Sequence, residues 1–280
     1  MSGPTDNWHS DLAWWILGQN YLAQDYSTLA IERAGQGFSE PIKNPSYTDF
    51  GQRLRKILTL QKTPVIIVAF ASSNLSVRLA LRDPIAANKV RGVVLLDPDV
   101  LTVHSIEHYT GESENFRKNW DKLEAFIASG KYQERIQDKI AAEKADLDTI
   151  ISDDLAEFMD WQQYHDYELL REKSSYQIRK FKEITAYKSD LENAKLSPIP
   201  KSIPVVILDS DFETGYLEKI QDDKFKQSIS QWRDEGKQQF FAMAQGHKCS
   251  AYWPVDTQEH LLMFTHPQLI EAAVRRLINC

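Results

Sequence analysis

Nucleophilic attack by a side-chain hydroxyl needs that hydroxyl on a sharp turn, a histidine to take its proton and an acid to steady the histidine. Four segments of this chain offer such groups. Ala69-Phe70-Ala71-Ser72-Ser73-Asn74-Leu75-Ser76 follows an apolar run and precedes helix-period sequence. That is the strand, turn and helix of a nucleophile elbow, where a side chain projects above a sheet and the next backbone N–H helps to hold an oxyanion. Small residues suit so strained a turn, although Ser and Asn are equally good helix caps. Asp209-Ser210-Asp211-Phe212-Glu213 places acids after a second apolar run, where one of them can orient an imidazole. His247 and His260 lie further on, the latter shortly before a terminal helix, and either suits a general base. In Glu32-Arg33-Ala34-Gly35-Gln36-Gly37-Phe38-Ser39 the two glycines predict a tight turn, without the third glycine and helix start of a dinucleotide site.

The elements that must position these groups are legible as apolar runs. Five are rich in Val, Ile, Leu and Phe: Ser27–Glu32, Pro64–Phe70, Val90–Leu96, Pro204–Leu208 and Gln239–Ala244. Runs that are continuously apolar predict strands buried on both faces of a parallel sheet. Helix-period stretches lie between them at Leu12–Leu22, Tyr47–Leu60, Leu75–Leu81 and Pro267–Ile278, the last opening on a proline that fits the first helical position. Strand and helix alternate, so the expected class is α/β, a doubly wound, mostly parallel sheet flanked by helices. From Thr102 to Leu196 no strand-like run occurs, and apolar residues recur at helical intervals, as in Leu123, Phe126 and Ile127. This predicts a helical cap over 99–203, inserted between two halves of a core at 1–98 and 204–280.

Composition narrows the function. The 280 residues carry a formal charge of -7 and are 42% hydrophobic, which excludes extensive disorder, and no basic patch interleaved with aromatics invites a nucleic acid. No apolar run approaches the roughly 20 residues of a membrane span, so no membrane partner is expected. The polar start, Met1 to Ser10, lacks a secretory pattern and predicts a cytoplasmic protein. Two cysteines, Cys249 and Cys280, are too few for a disulfide framework or a cysteine-type zinc site and are expected to be bystanders. Asp160, His165 and Asp166 do not share a helical face, so no metal is expected, and acyl transfer needs no cofactor.

In the order nucleophile, acid, histidine, the chain resembles the α/β-hydrolase family over nearly its whole length. Arg33-Ala34-Gly35-Gln36-Gly37-Phe38-Ser39 is similar to the family's Arg-x-Gly-x-Gly-x-Ser turn, and Val90 to Pro98 to its sixth strand. His260 to Pro267 is similar to its catalytic histidine with a proline seven residues on. The resemblance implies an ester or lactone hydrolase acting on a small-molecule acyl substrate. Ser72 would attack, His260 would take its proton, Asp211 would steady the ring, and N–H groups near Gly3 and Ser73 would hold the oxyanion. Glu213 is the reserve acid and His247 the reserve base. An ungapped match to Gly-x-Ser-x-Gly instead puts Ala71 at the nucleophile position, and a later register puts Asn74 there. Neither side chain can hand a proton to a histidine, so the alternative is an inactive hydrolase-fold protein that binds a ligand or a partner. Met1-Ser2-Gly3-Pro4 resembles the family's oxyanion loop, which implies that three preceding strands are absent and that the strand at 27–32 flanks the one at 64–70.

Overall fold

Successive residues of a strand face opposite sides of a sheet, so a strand apolar at every position needs a covering layer on each side. In the computed structural model, which describes residues 9–280, this is how the core is built. Val65–Phe70 (β1), Val90–Leu96 (β2), Val205–Asp209 (β3) and Ala251–Pro254 (β4) form a sheet in the order β1-β2-β3-β4 with every pair parallel. Ile66, Val68, Phe70, Val94, Leu96, Val206 and Leu208 enter one cluster, and Val65, Ile67, Ala69, Val93, Leu95, Val205 and Ile207 the other.

The helices fill those two layers and the long connection between β2 and β3. Ahead of the sheet come a 3-10 turn at Leu12–Trp15, α1 (Ile16–Leu22) and α2 (Tyr47–Thr59), the last capped by Ser46 Oγ accepting from the Asp49 N–H. α3 (Ser73–Ala80) and α4 (Pro84–Ala87) join β1 to β2. Five helices then intervene: α5 (Val103–Lys118), α6 (Trp120–Ala128), α7 (Gln133–Ile150), α8 (Trp161–Arg171) and α9 (Ser174–Lys195). α9 is their axis, burying Tyr176, Phe181, Ile184, Tyr187 and Leu191. α10 (Phe212–Lys219) and α11 (Asp223–Ala244) lead to β4, and α12 (Leu262–Thr265) and α13 (Pro267–Ile278) close the chain. α13 lies directly on β2: a Cβ at Gly92 would stand 2.8 Å from Leu277 Cδ1, so a side chain there would have to displace Leu277.

The structure corrects two of the five expected strands. Gln239–Ala244 belongs to α11, whose buried Ile229, Trp232, Gly236 and Phe240 follow the helical period while Phe241 is exposed. The last strand is Ala251–Pro254, a partly exposed edge segment ending on a proline, as edge strands tolerate. Ser27–Glu32 has no ladder partner; Ile31 packs against the core, but Leu29 is 75% exposed, too wet for a strand buried on both faces. The cysteines are not bystanders, because Cys249 and Cys280 are disulfide-bonded with Cα atoms 6.0 Å apart.

Candidate functional site

The carboxyl ends of β1, β2 and β3 deliver the chain to three adjacent turns, and the candidate groups gather there. At the end of β1 the Ala71 N–H donates to Leu96 O (2.8 Å), and the backbone turns through a left-handed conformation at Ala71, with φ of 45°. Residues with a Cβ seldom adopt it, so the strained residue that opens the turn is Ala71. Ser72 already has helical angles and precedes the first residue of α3, Ser73. Asn74 is buried, giving its side-chain amide to Ala71 O (2.8 Å) and accepting from Arg78 Nε (3.2 Å).

Ser72 Oγ meets Tyr187 OH at 3.0 Å, and Tyr187 gives its one phenolic proton to Asp99 Oδ2 at 2.6 Å. With that proton committed, Ser72 must be the donor to Tyr187. All three side chains are buried, and burial pushes the Asp99 carboxyl up to about 6 against the pull of its hydrogen bonds.

His260 belongs to a second group. Its Nδ1 lies 2.8 Å from Asp97 Oδ2, and its ring lies between Phe70 and Phe212 at centroid distances of 4.7 and 4.1 Å. Asp97, at the end of β2 with φ of 41°, also accepts from the Ser210 N–H (2.6 Å) and hydroxyl (2.7 Å). An acceptor so placed fixes the proton on Nδ1 and leaves Nε2 as the basic nitrogen.

The expected constellation is therefore divided. The acid on His260 is Asp97, not Asp211: Asp211 pairs with Arg233, accepts from Thr214 Oγ1 (2.7 Å) and gives its N–H to Thr257 O (2.7 Å). Glu213 is buried among Asp97, Asp209 and Arg233, and burial pushes its carboxyl up to about 8. His247 precedes β4, at the amino end of the sheet, where its Nδ1 accepts from the Cys249 N–H (3.1 Å). Gly3 lies outside the described residues. Ser73 is at the turn, and as the first residue of α3 its N–H has no acceptor within the helix. Asp160 caps α8 by accepting from the Gln163 N–H, and His165 pairs with Glu168 on its surface.

A cavity of about 60 Å³ opens beside the turn, lined by Ala71, Ser72 and Ser73 on one side and by Asp11, Trp14, Glu32 and Arg33 on the other. It has room for a few waters or a ligand of a few heavy atoms. Arg33 is held by Glu183 through two bonds of 2.9 Å and by Ser10 Oγ. Glu32 accepts from Tyr167 OH (3.1 Å); burial, aided by the Asp11 charge, pushes its carboxyl up to about 8, so it stands protonated at neutral pH. Glu32 occupies the space of a side chain at Gly37, where φ is 46° and any other residue would be strained. Asp11 is in turn locked by Arg171, which also reaches Glu143.

Of these groups, Asp97 and Asp99 had a visible signal, acids directly after an apolar run in Leu96-Asp97-Pro98-Asp99. Tyr187, Glu32 and Asp11 had none. Among the described residues, His247, Cys249 and Cys280 form a group able to hold a metal, with ligand atoms all within 4.8 Å of one another.

No family model matches the sequence, and no curated protein matches it. Among solved structures, the fold is similar to that of a single-residue mutant of tomato methylketone synthase I. That likeness is 12% in identity, spans 97% of this chain and 94% of the other, and has a TM-score of 0.48. No helix among the described residues is long and apolar enough to cross a membrane.

Proposed function

We propose that this chain is a hydrolase-like scaffold that has given up serine chemistry and binds a small ligand in the cavity at the β1–α3 turn. One observation carries the proposal. The residue in the projecting, left-handed conformation is Ala71, while the neighbouring Ser72 hydroxyl donates to Tyr187, whose own proton goes to Asp99, and His260 is held by Asp97. Nucleophilic catalysis needs the hydroxyl and the base in one hydrogen-bonded group, and here they belong to two. The cavity supports recognition of a small polar group. Its wall offers the Ser73 N–H at the start of α3 and a protonated Glu32. The helices between β2 and β3 would act as the cap over it, since α9 supplies both Tyr187 and the Glu183 that holds Arg33.

A second function, ester hydrolysis by Ser72, is favoured by one fact: Ser72 borders the cavity and is linked through Tyr187 to Asp99, a carboxylate at the end of a relay. A fluorophosphonate probe separates the two. Folded protein should remain unlabelled after long incubation; labelling at Ser72, abolished by Ser72→Ala, would overturn the proposal and establish the hydrolase.

A further inference from the structure

The opposite end of the sheet, away from the pocket, brings together a second set of reactive side chains. Cys249 lies just before β4 and Cys280 just after α13, 31 residues apart in sequence, yet their Cα atoms are 6.0 Å apart. A third group joins them: one ligand atom each of His247, Cys249 and Cys280 lies within 4.8 Å of the other two. Around a tetrahedral zinc ion, bonds of about 2.3 Å to sulfur and about 2.0 Å to nitrogen set neighbouring ligand atoms about 3.5–3.8 Å apart. The three side chains are therefore a small adjustment from that arrangement. The Cys249 N–H donates to His247 Nδ1 at 3.1 Å, which holds the imidazole beside the cysteines; a metal would take either Nε2 or, in exchange for that hydrogen bond, Nδ1.

We propose that, with both thiols reduced, His247, Cys249 and Cys280 bind one zinc-like divalent cation, and that the Cys249–Cys280 disulfide is the closed, metal-free state of the same site. Two thiolates and an imidazole are a borderline-soft donor set, which favours zinc over magnesium or calcium. Two thiolates also neutralise the ion's charge, and three protein ligands leave one position to water. His247 is partly exposed and Cys280 exposed, so a reductant and an ion can both reach the site. A phosphine and one water give two electrons and two protons to the disulfide, leaving phosphine oxide and two thiols; metal binding then expels those two protons as two metal–sulfur bonds form.

The test is anaerobic titration of phosphine-reduced full chain with Co²⁺, following sulfur-to-cobalt charge-transfer absorption, with circular dichroism on the same samples. One equivalent of Co²⁺ should give the band, Zn²⁺ should erase it by displacement, and Mg²⁺ should not. Cys249→Ser and Cys280→Ser should each lose the band while keeping the wild-type dichroism, and His247→Ala should bind about tenfold more weakly or worse. A folded, reduced chain without the band would overturn the proposal, as would a band that survives in either serine variant. A chain that unfolds on reduction would overturn it too, since the sulfurs would then serve as a staple alone.

Discussion

The cavity's outer wall is held by one buried cation, and removing it makes the sharpest test of how the site is built. Arg171 is fully buried. It gives Nε and Nη2 to the two oxygens of Asp11 (2.9 and 2.7 Å) and Nη1 to Glu143 (3.1 Å) and to Tyr164 OH (3.2 Å). Burial alone would push the Asp11 and Glu143 carboxyls up. For Asp11, the charge and hydrogen bonds of Arg171 lead the groups that reverse it, with Tyr176 and His9 adding; for Glu143, His9, Arg171 and Lys180 do so together, and both groups stand below the ordinary carboxylate range. In Arg171→Met the neighbours remain partly satisfied, Asp11 by Tyr176 OH at 2.7 Å and Glu143 by the His9 N–H at 2.8 Å and the charge of buried Lys180, but the guanidinium that compensates both acids is gone. Breaking a buried ion pair from one side costs about 3–5 kcal/mol, a large share of a domain's stability. A carboxyl with a lowered folded-state pKa contributes stability that is present above its unfolded value and lost as pH falls through the folded one. The variant's acids, pushed up by burial, are penalised at neutral pH and relieved when protonated. The gap between wild type and variant should therefore be largest at pH 7 and shrink towards pH 4. Urea unfolding followed by tryptophan fluorescence at both pH values measures it. Arg171→Lys, which keeps the charge but not the fork, should fall between. A loss under about 1 kcal/mol at pH 7, or a gap independent of pH, would refute the assignment of Arg171 as a buried, charge-compensating hub.

Glu32→Gln tests the other end of the wall. With its folded-state pKa raised from 4.5 to about 8, Glu32 costs the wild type stability progressively as pH rises between those values. The Gln variant should match wild type at pH 4 and exceed it at pH 8.5 by thermal unfolding; a constant offset would show that the carboxyl is solvated. Ala71→Gly should be neutral or stabilising by up to about 1 kcal/mol in denaturant, because glycine takes the left-handed angles without strain. A clear loss would mean that the Ala71 methyl, and not the backbone, shapes the turn. Asp97→Asn removes one of two oxygens shared by His260 and two Ser210 donors, so it should destabilise by about 1–3 kcal/mol and shift the imidazole proton from Nδ1 to Nε2. Nitrogen chemical shifts of the His260 ring report the tautomer, and an unchanged spectrum would remove Asp97 from its role.

What the sequence could convey differed from element to element. β1, β2 and β3 are continuous Val, Ile and Leu runs long enough to leave no other reading, and Pro267 marks the start of α13 without ambiguity. β4, four residues with a proline at the end, is too short and too wet to stand out. Its place was taken by Gln239–Ala244, because a Phe-Phe-Ala-Met-Ala run reads as a strand until the preceding 17 residues of α11 are counted with it. The sequence points to the acids after β3, Asp211 with Glu213 in reserve, as partners for His260, whereas the structure uses Asp97 after β2. Their choice depends on strand register and on the turn after each strand, which spacing along the chain does not encode. The elbow register was undecided among Ala71, Ser72 and Asn74 for the same reason, and the sign of one φ angle separates them. The pairing of Cys249 with Cys280 joins the start of one element to the end of another and has no local signature.

Asp97 and Asp99 show how one strand end serves two purposes. Two residues apart on a regular strand, they would face the same side of the sheet. The chain instead leaves the strand at Asp97, where φ is 41°, and the intervening proline prevents its return to a ladder. The two carboxylates are thereby sent to different neighbours, Asp97 to His260 and the β3 loop, Asp99 to Tyr187 on α9. Ser72 follows the second route: its hydroxyl completes the chain from α9 to the end of β2 and ties the helical insertion to the core at the elbow itself. A hydroxyl that spans that junction is already satisfied and buried, so freeing it to attack a substrate would cost the hydrogen bond and leave buried Tyr187 with one partner fewer. An alanine at the strained position next to it carries no such conflict, and that compatibility is the physical reason to regard the turn as a binding element in which Ser72 is structural.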